Sequence, residues 1–140
     1  MSLYIFDTDI AGFIQQEYST VIRNIQLLSV DDKLATTIIT VNEDLSGWQA
    51  KCNRARDPLA RSWAYHKLQE ALNFYCQRSV LPFDEAAAKI FTQLQAQKIR
   101  VGTNDLTIAS IALAIDAVLV TRNTVDFQRI PNLQLEDWTI

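Results

Sequence analysis

Apolar positions along the chain switch between short β-branched runs and longer stretches with helical spacing. The run Leu3, Tyr4, Ile5 and Phe6 stops abruptly at Asp7, which predicts a buried first strand. Over residues 8–16 the spacing becomes helical, with Ile10, Phe13 and Ile14 on one face. A second helix is predicted over 19–29, where Val21, Ile22, Ile25 and Leu28 share a face. Residues 34–40, rich in Thr and Ile, predict a second strand, and 41–50 a helix. Asp57-Pro58 predicts the start of a long helix reaching Arg78, because proline fits the first turn behind an Asp cap. A third strand is predicted over 80–83, and a helix over 85–99 behind the cap Asp84. Another helix is predicted over 104–116, with Ile108, Ile111, Ala112 and Ile115 on one face. The β-branched run 117–121 predicts a fourth strand, and 133–135 a short fifth.

Strands separated by helices imply βαβ units, hence an α/β fold with a parallel or mostly parallel sheet of four to five strands. No repeat, low-complexity tract or linker interrupts the pattern, so residues 1–140 are expected to form a single domain. With 49% hydrophobic and 21% charged residues, the chain has the composition of a folded protein. Cys52 and Cys76 have no CxxC spacing and His66 is the lone histidine, so no Cys/His zinc site can be built. The cysteines are expected as small buried hydrophobes, His66 on a helix surface, and Trp48, Trp63 and Trp138 in the core or at an interface. The lack of a signal peptide or long apolar run predicts a cytoplasmic protein with no membrane partner.

In a βαβ layout, strand C-termini and helix N-termini gather at one edge of the sheet, where open α/β sheets bind ligands. Asp7 closes the first strand there. Glu43 sits three residues past Thr40, at the start of the helix leaving the second strand. Asp105 lies in the first turn of the helix that feeds the fourth strand, and Asn123 and Asp126 follow that strand. Each acid also suits a local role. Asp7 fits an N-cap, Glu43 with Thr40 fits the capping box T-x-x-E, Asp105 favours the helix dipole, and Asp126 fits a capped turn. Asp9 is a first-turn acid near enough to Asp7 to add negative potential. Local roles do not explain why separate segments bring these acids to one edge. Clustered carboxylates suit Mg²⁺ or Mn²⁺ and phosphodiester hydrolysis, in which a bound water becomes the nucleophile. A net charge of −3 is unfavourable for a nucleic-acid binder, so affinity would come from bound metal and from the local patch Lys51, Arg54, Arg56 and Arg61.

The stretches YIFDTDI (4–10), TIITVNEDLSGW (37–48), LPFDEAAAKIF (81–91), VGTNDLTIASIAL (101–113) and LVTRNTVDFQRIPNLQLEDW (119–138) carry a family resemblance over almost the whole chain. In their order and spacing the chain resembles the PIN-domain ribonucleases, specifically the VapC-type toxins of toxin–antitoxin pairs. The resemblance implies a three-layer α/β/α sandwich, metal-dependent cleavage of RNA, and metal-binding acids at Asp7, Glu43 and Asp105. It also implies a homodimer and inhibition by a small antitoxin. The family often has an acid just after the last long strand. Asn123 stands there in this chain and Asp126 follows, so either could complete the site, as a catalytic residue or, for Asp126, a further metal ligand. Thr8 and Thr121 would orient waters.

Other classes compete for the same features. An apolar strand followed by DxD also opens the haloacid-dehalogenase-type phosphatases, with Asp7 as nucleophile and Asp9 as general acid. That reading expects a later acidic pair and a phosphate-binding lysine, where this chain has Thr121-Arg122-Asn123. A phospho-acceptor receiver domain needs a late-strand lysine and clustered N-terminal acids, which are missing. A non-catalytic interaction module on the same fold is the remaining alternative. The retained carboxylates argue against it, because crowded acids repel.

Overall fold

The computed structural model describes residues 2–140. Strand β1 (Leu3–Phe6) leads into α1 (Thr8–Gln15) and α2 (Ser19–Gln26), and β2 (Lys33–Thr37) into α3 (Ile38–Arg54) and α4 (Pro58–Cys76). Strand β3 (Ser79–Leu81) precedes α5 (Glu85–Ala96) and α6 (Thr103–Ala114). Then come β4 (Val118–Val120), the short α7 (Thr124–Phe127) and β5 (Gln134–Glu136). The strands pair in the order β3-β2-β1-β4-β5, and every pairing is parallel. The winding reverses beside β1, so a crevice is expected outside the C-terminal ends of β1, β2 and β4.

Alternation along the central strands builds two cores. Ile5 and Leu119 face one layer with Leu94, Ile108, Ile111 and Phe127, while Phe6 and Val120 face the other with Ile10, Val21, Tyr75 and Trp138. Helices α5, α6 and α7 therefore cover one face and α1, α2 and α4 the opposite one, giving the α/β/α sandwich. Each fully buried Ile, Leu or Phe contributes about 1.5–3 kcal/mol.

Helix α6 has the deepest setting. Leu106 to Ala112 are all buried, and its polar members Thr107 and Ser110 donate to the carbonyls of Thr103 and Leu106, both at 2.7 Å. A helix packed on all sides has no mobile face, and Asp105 rides on its first turn.

The second strand departs from the sequence reading. It ends at Thr37 rather than Thr40, because the Thr37 hydroxyl accepts the Thr40 N–H (3.3 Å) and starts α3 at Ile38. The β-branched run Thr37 to Thr40 has the propensity of a strand, but the N-cap overrides it. Thr40 thus lies inside the helix, the T-x-x-E capping box does not form, and Glu43 falls in the second turn of α3. Helix α3 then runs on to Arg54, past the expected end at 50. The helices predicted to end at 29, 99 and 116 stop instead at Gln26, Ala96 and Ala114. Cys52 is buried as expected, but Cys76 is exposed at the C-terminus of α4, where the chain leaves the core for β3. Among the tryptophans, Trp138 is buried against Tyr4 and Trp63 is exposed.

Candidate active site

The acids named from the sequence meet at the expected edge. Asp7 leaves β1 directly into α1 and is nearly buried. One of its oxygens caps α1 by accepting the Ile10 N–H (3.1 Å), and the other accepts the Thr121 hydroxyl at the end of β4 (2.6 Å). The capping role and the site role are therefore the same geometry. Glu43 reaches back from α3, where Oε1 accepts the Thr8 hydroxyl (2.6 Å) and Oε2 accepts the Asn104 side-chain N–H (3.1 Å). The Thr8 and Thr40 hydroxyls lie 3.3 Å apart, tying α1 to α3 beneath Glu43.

Asp7, Thr8, Asp9, Glu43, Asp105 and Asn123 line a single open cavity of about 170 Å³. Asp126 does not line it. Its carboxylate accepts from the Asn123 side-chain amide (2.9 Å) and lies 3.4 Å from Arg129, so it stands behind Asn123. Asn104 is the participant that sequence reasoning missed, since an amide preceding Asp105 carries no signal until Glu43 is seen beside it. Asp9, read as a helix-dipole acid, joins the lining as well.

Negative charge is crowded here without a cation in the lining. Burial pushes the Asp7 carboxyl up from 3.8 to about 6; the Thr121 and Ile10 hydrogen bonds oppose this, and the charges of Asp9 and Asp105 add to it. Asp105 is also raised, first by burial and then by Glu43, Asp126 and Asp9. Among the described residues, no three Asp, Glu, His or Cys side chains converge into a ready-made metal cage, so the acids ring the cavity rather than fill it. The donor set is all oxygen apart from the Asn123 amide nitrogen, and of its acids only Asp9 has an ion-pair partner among the described residues, Arg122 at 4.0 Å. Hard divalent cations such as Mg²⁺ keep several waters and bind through a few carboxylates, so the set fits such an ion. The phosphatase reading fits less well, because both Asp7 oxygens already accept hydrogen bonds and no lysine lines the cavity.

Fold and site together define a doubly wound α/β protein with an acidic, oxygen-lined pocket at its switch point. The PIN domain family matches residues 4–133. Ribonuclease VapC2 of Rickettsia felis is 30% identical over 142 residues, covering 97% of this chain and 98% of that protein. Ribonuclease VapC1 of Haemophilus influenzae is 31% identical over 143 residues, covering 98% of each. The crystal structure of DNA-bound VapBC from Salmonella typhimurium superposes with a TM-score of 0.78 at 26% identity, covering 99% of both chains. This chain belongs to the PIN-domain family, and its full-length relatives are VapC ribonucleases.

Proposed function

We propose that this chain is the endoribonuclease toxin of a toxin–antitoxin pair, hydrolysing RNA phosphodiester bonds with Mg²⁺ or Mn²⁺ held by Asp7, Asp105 and Glu43. The observation that carries this reading is the cavity in which three chain segments present those acids with no cation among them. When bound, the ion supplies a water of lowered pKa and neutralises charge on the scissile phosphate. The chain's own residues hold the geometry. The Ile10 N–H and the Thr121 hydroxyl fix Asp7, while Thr8 and Asn104 fix Glu43. Burial of α6 fixes Asp105.

Of the two residues that could complete the site, we place Asn123 at the cavity. Its amide nitrogen is engaged by Asp126, which leaves the carbonyl oxygen to accept from a water. Asp126 then acts through Asn123 as a positioning residue, and adds negative potential at Asp105. Residues 1–140 act as one PIN domain in this reading. A small antitoxin that covers the site, a homodimer and a cytoplasmic setting belong to it too. No helix among the described residues is long and apolar enough to cross a membrane.

The test is cleavage of transfer RNA, ribosomal RNA and single-stranded oligonucleotides by partner-free protein, with Mg²⁺ or Mn²⁺ and with EDTA. Cutting that needs the metal and is lost in Asp105→Asn supports the reading. A folded, partner-free protein that cuts none of these with either metal would overturn it.

A further inference from the structure

The turn after β4 carries a cation beside the carboxylate cavity. The Thr121 hydroxyl donates to Asp7 and accepts the Asn123 N–H (2.9 Å), and Asn123 lines the cavity. The residues on both sides of Arg122 are thus committed to the site, while Arg122 itself is exposed and lies across the start of α1. Its guanidinium stands 5.5 Å from the centre of the Phe13 ring and 4.0 Å from the Asp9 carboxylate. Asp9 and Phe13 are four residues apart on α1, hence on one face of that helix. The Phe13 ring is backed in turn by Tyr18, with the ring centres 4.9 Å apart. These contacts hold the cation at the rim of the cavity, of which Asp9 is part.

A bracing role does not account for this arginine. Both side chains of the ion pair are 59% exposed, and such a pair contributes only about 0–1 kcal/mol to the fold. At 4.0 Å the pair is also too long for a hydrogen bond, so the N–H donors of Arg122 stay uncommitted among the described residues. Arg78 and Arg129, by contrast, each donate to a backbone carbonyl at 2.9 Å. Among the described residues, Arg122 is the one cation in ion-pair reach of an acid that lines the cavity. The charge balance there calls for one. Asp7, Asp9, Glu43 and Asp105 line the cavity, a divalent ion offsets only two of their charges, and a phosphodiester brings another. A planar fork of free donors matches two oxygens of a phosphate.

We propose that Arg122 is a catalytic residue of the carboxylate site, leaving Asp9 to bind the phosphate that is cut. Its N–H groups donate to the non-bridging oxygens of that phosphate, and the Phe13 ring supports the guanidinium as it changes partner. The contact strengthens as negative charge builds on those oxygens during attack by water, so the arginine acts on the rate more than on binding. This role rests on the ribonuclease reading and deepens it, since it names the cation that meets the substrate.

The test compares wild type with Arg122→Gln and Arg122→Lys on an RNA that the wild type cuts, with Mg²⁺ or Mn²⁺. Arg122→Gln is expected to lower kcat about 10²-fold and to change KM far less. Arg122→Lys should recover only part of the loss, because an ammonium cannot form the paired bonds. Melting temperatures of both variants should stay within about 2 °C of wild type, as the exposed pair adds so little. Binding is read separately by anisotropy of the labelled RNA on Asp105→Asn protein with Mg²⁺ at several salt concentrations. Adding Arg122→Gln there should flatten the dependence of log affinity on log salt by about 0.7, the share of one phosphate. A neutral methylphosphonate at the cut position should abolish that difference. Unchanged kcat and salt slope, while the wild type cuts RNA, would overturn the role of Arg122 and leave the ribonuclease reading intact. A loss of cleavage matched by a fall in melting temperature, with the slope unchanged, would make the arginine a brace of α1 and overturn it too. A wild type that cuts no RNA with either metal would overturn both readings.

Discussion

Two aspartates stand at opposite ends of the same pair of strands, and the fold treats them in opposite ways. Asp32, ahead of β2, accepts the backbone N–H groups of Ser29 (3.0 Å) and Ser2 (2.9 Å), stitching the entrances of β1 and β2 together from a half-buried position at the surface. Those bonds hold its carboxyl below the ordinary value of 3.8. Asp7, at the exit of β1, also accepts two hydrogen bonds, yet burial and the charges of Asp9 and Asp105 push it up to about 6. Hydrogen bonds are present at both ends, so they are not the difference. Desolvation and like charge are. An ionised Asp32 supports the fold, whereas an ionised Asp7 is held in place against its own interest, as expected of a group placed for chemistry.

The largest expected effect breaks the functional end outright. Asp105→Asn should lower metal-dependent RNA cleavage by about 10²–10³-fold, the scale of losing several kcal/mol of charge stabilisation at the scissile phosphate. A cleavage assay at saturating metal reads this directly, and cutting at the wild-type rate would remove Asp105 from the site. The same reasoning gives Asp7→Asn an opposite sign in stability. A carboxyl raised from 3.8 to about 6 makes the metal-free fold less stable at neutral pH by up to about 3 kcal/mol. Asparagine caps a helix as well as aspartate does, so little is lost in return. In EDTA at pH 7, Asp7→Asn is expected to melt roughly 5–10 °C above wild type. Because the folded value lies above the unfolded one, the wild type keeps this stability below pH 4 and loses it as the pH rises through about 6. The advantage of the variant should therefore vanish at acid pH.

Metal addition sharpens the contrast from the other direction. A cation that binds the folded site at a hundred times its dissociation constant adds about 2.7 kcal/mol. Wild type should thus gain several degrees on adding Mn²⁺ or Mg²⁺, while Asp7→Asn and Asp105→Asn gain little. Equal gains in all three proteins would place the ion elsewhere.

Much of this was legible in the chain, and the reasons for the rest are local. Strand β1 and the start of α4 carried unambiguous signals, an apolar run ending in Asp and an Asp-Pro pair. The convergence of Asp7, Glu43, Asp105 and Asn123 followed from βαβ geometry alone. Helix ends did not follow. Glu17, Lys98 and Asp116 take left-handed conformations just past α1, α5 and α6, where glycine is the usual marker, and none of the three glycines stands at such a position. The true start of α3 was hidden because Thr37 caps a helix with a residue type that equally begins or continues a strand. The choice between Asn123 and Asp126 stayed open in the sequence for another reason. Its neighbour Asn123 takes the cavity position, and a three-residue spacing on a short helix does not reveal which side chain stands in front.

The smallest effect belongs to the structural end, and it completes the comparison. Asp32→Ala removes the acceptor that joins Ser2 to Ser29, so the melting temperature at pH 7 should fall modestly, with RNA cleavage by metal-loaded protein retained. The folded value of Asp32 lies below its unfolded one, so the stability it contributes is complete above 3.8 and is lost as the pH falls through the lowered value. Melting curves of wild type and Asp32→Ala should therefore converge in acid. Asp7→Asn converges with wild type there as well, but from the opposite side. Convergence from below for one aspartate and from above for the other is what separates a carboxylate that holds strands together from one that the strands hold in place. An Asp32→Ala protein that melted above wild type at pH 7 would show that the entrance of the sheet is strained too, and the contrast between the two ends would fail.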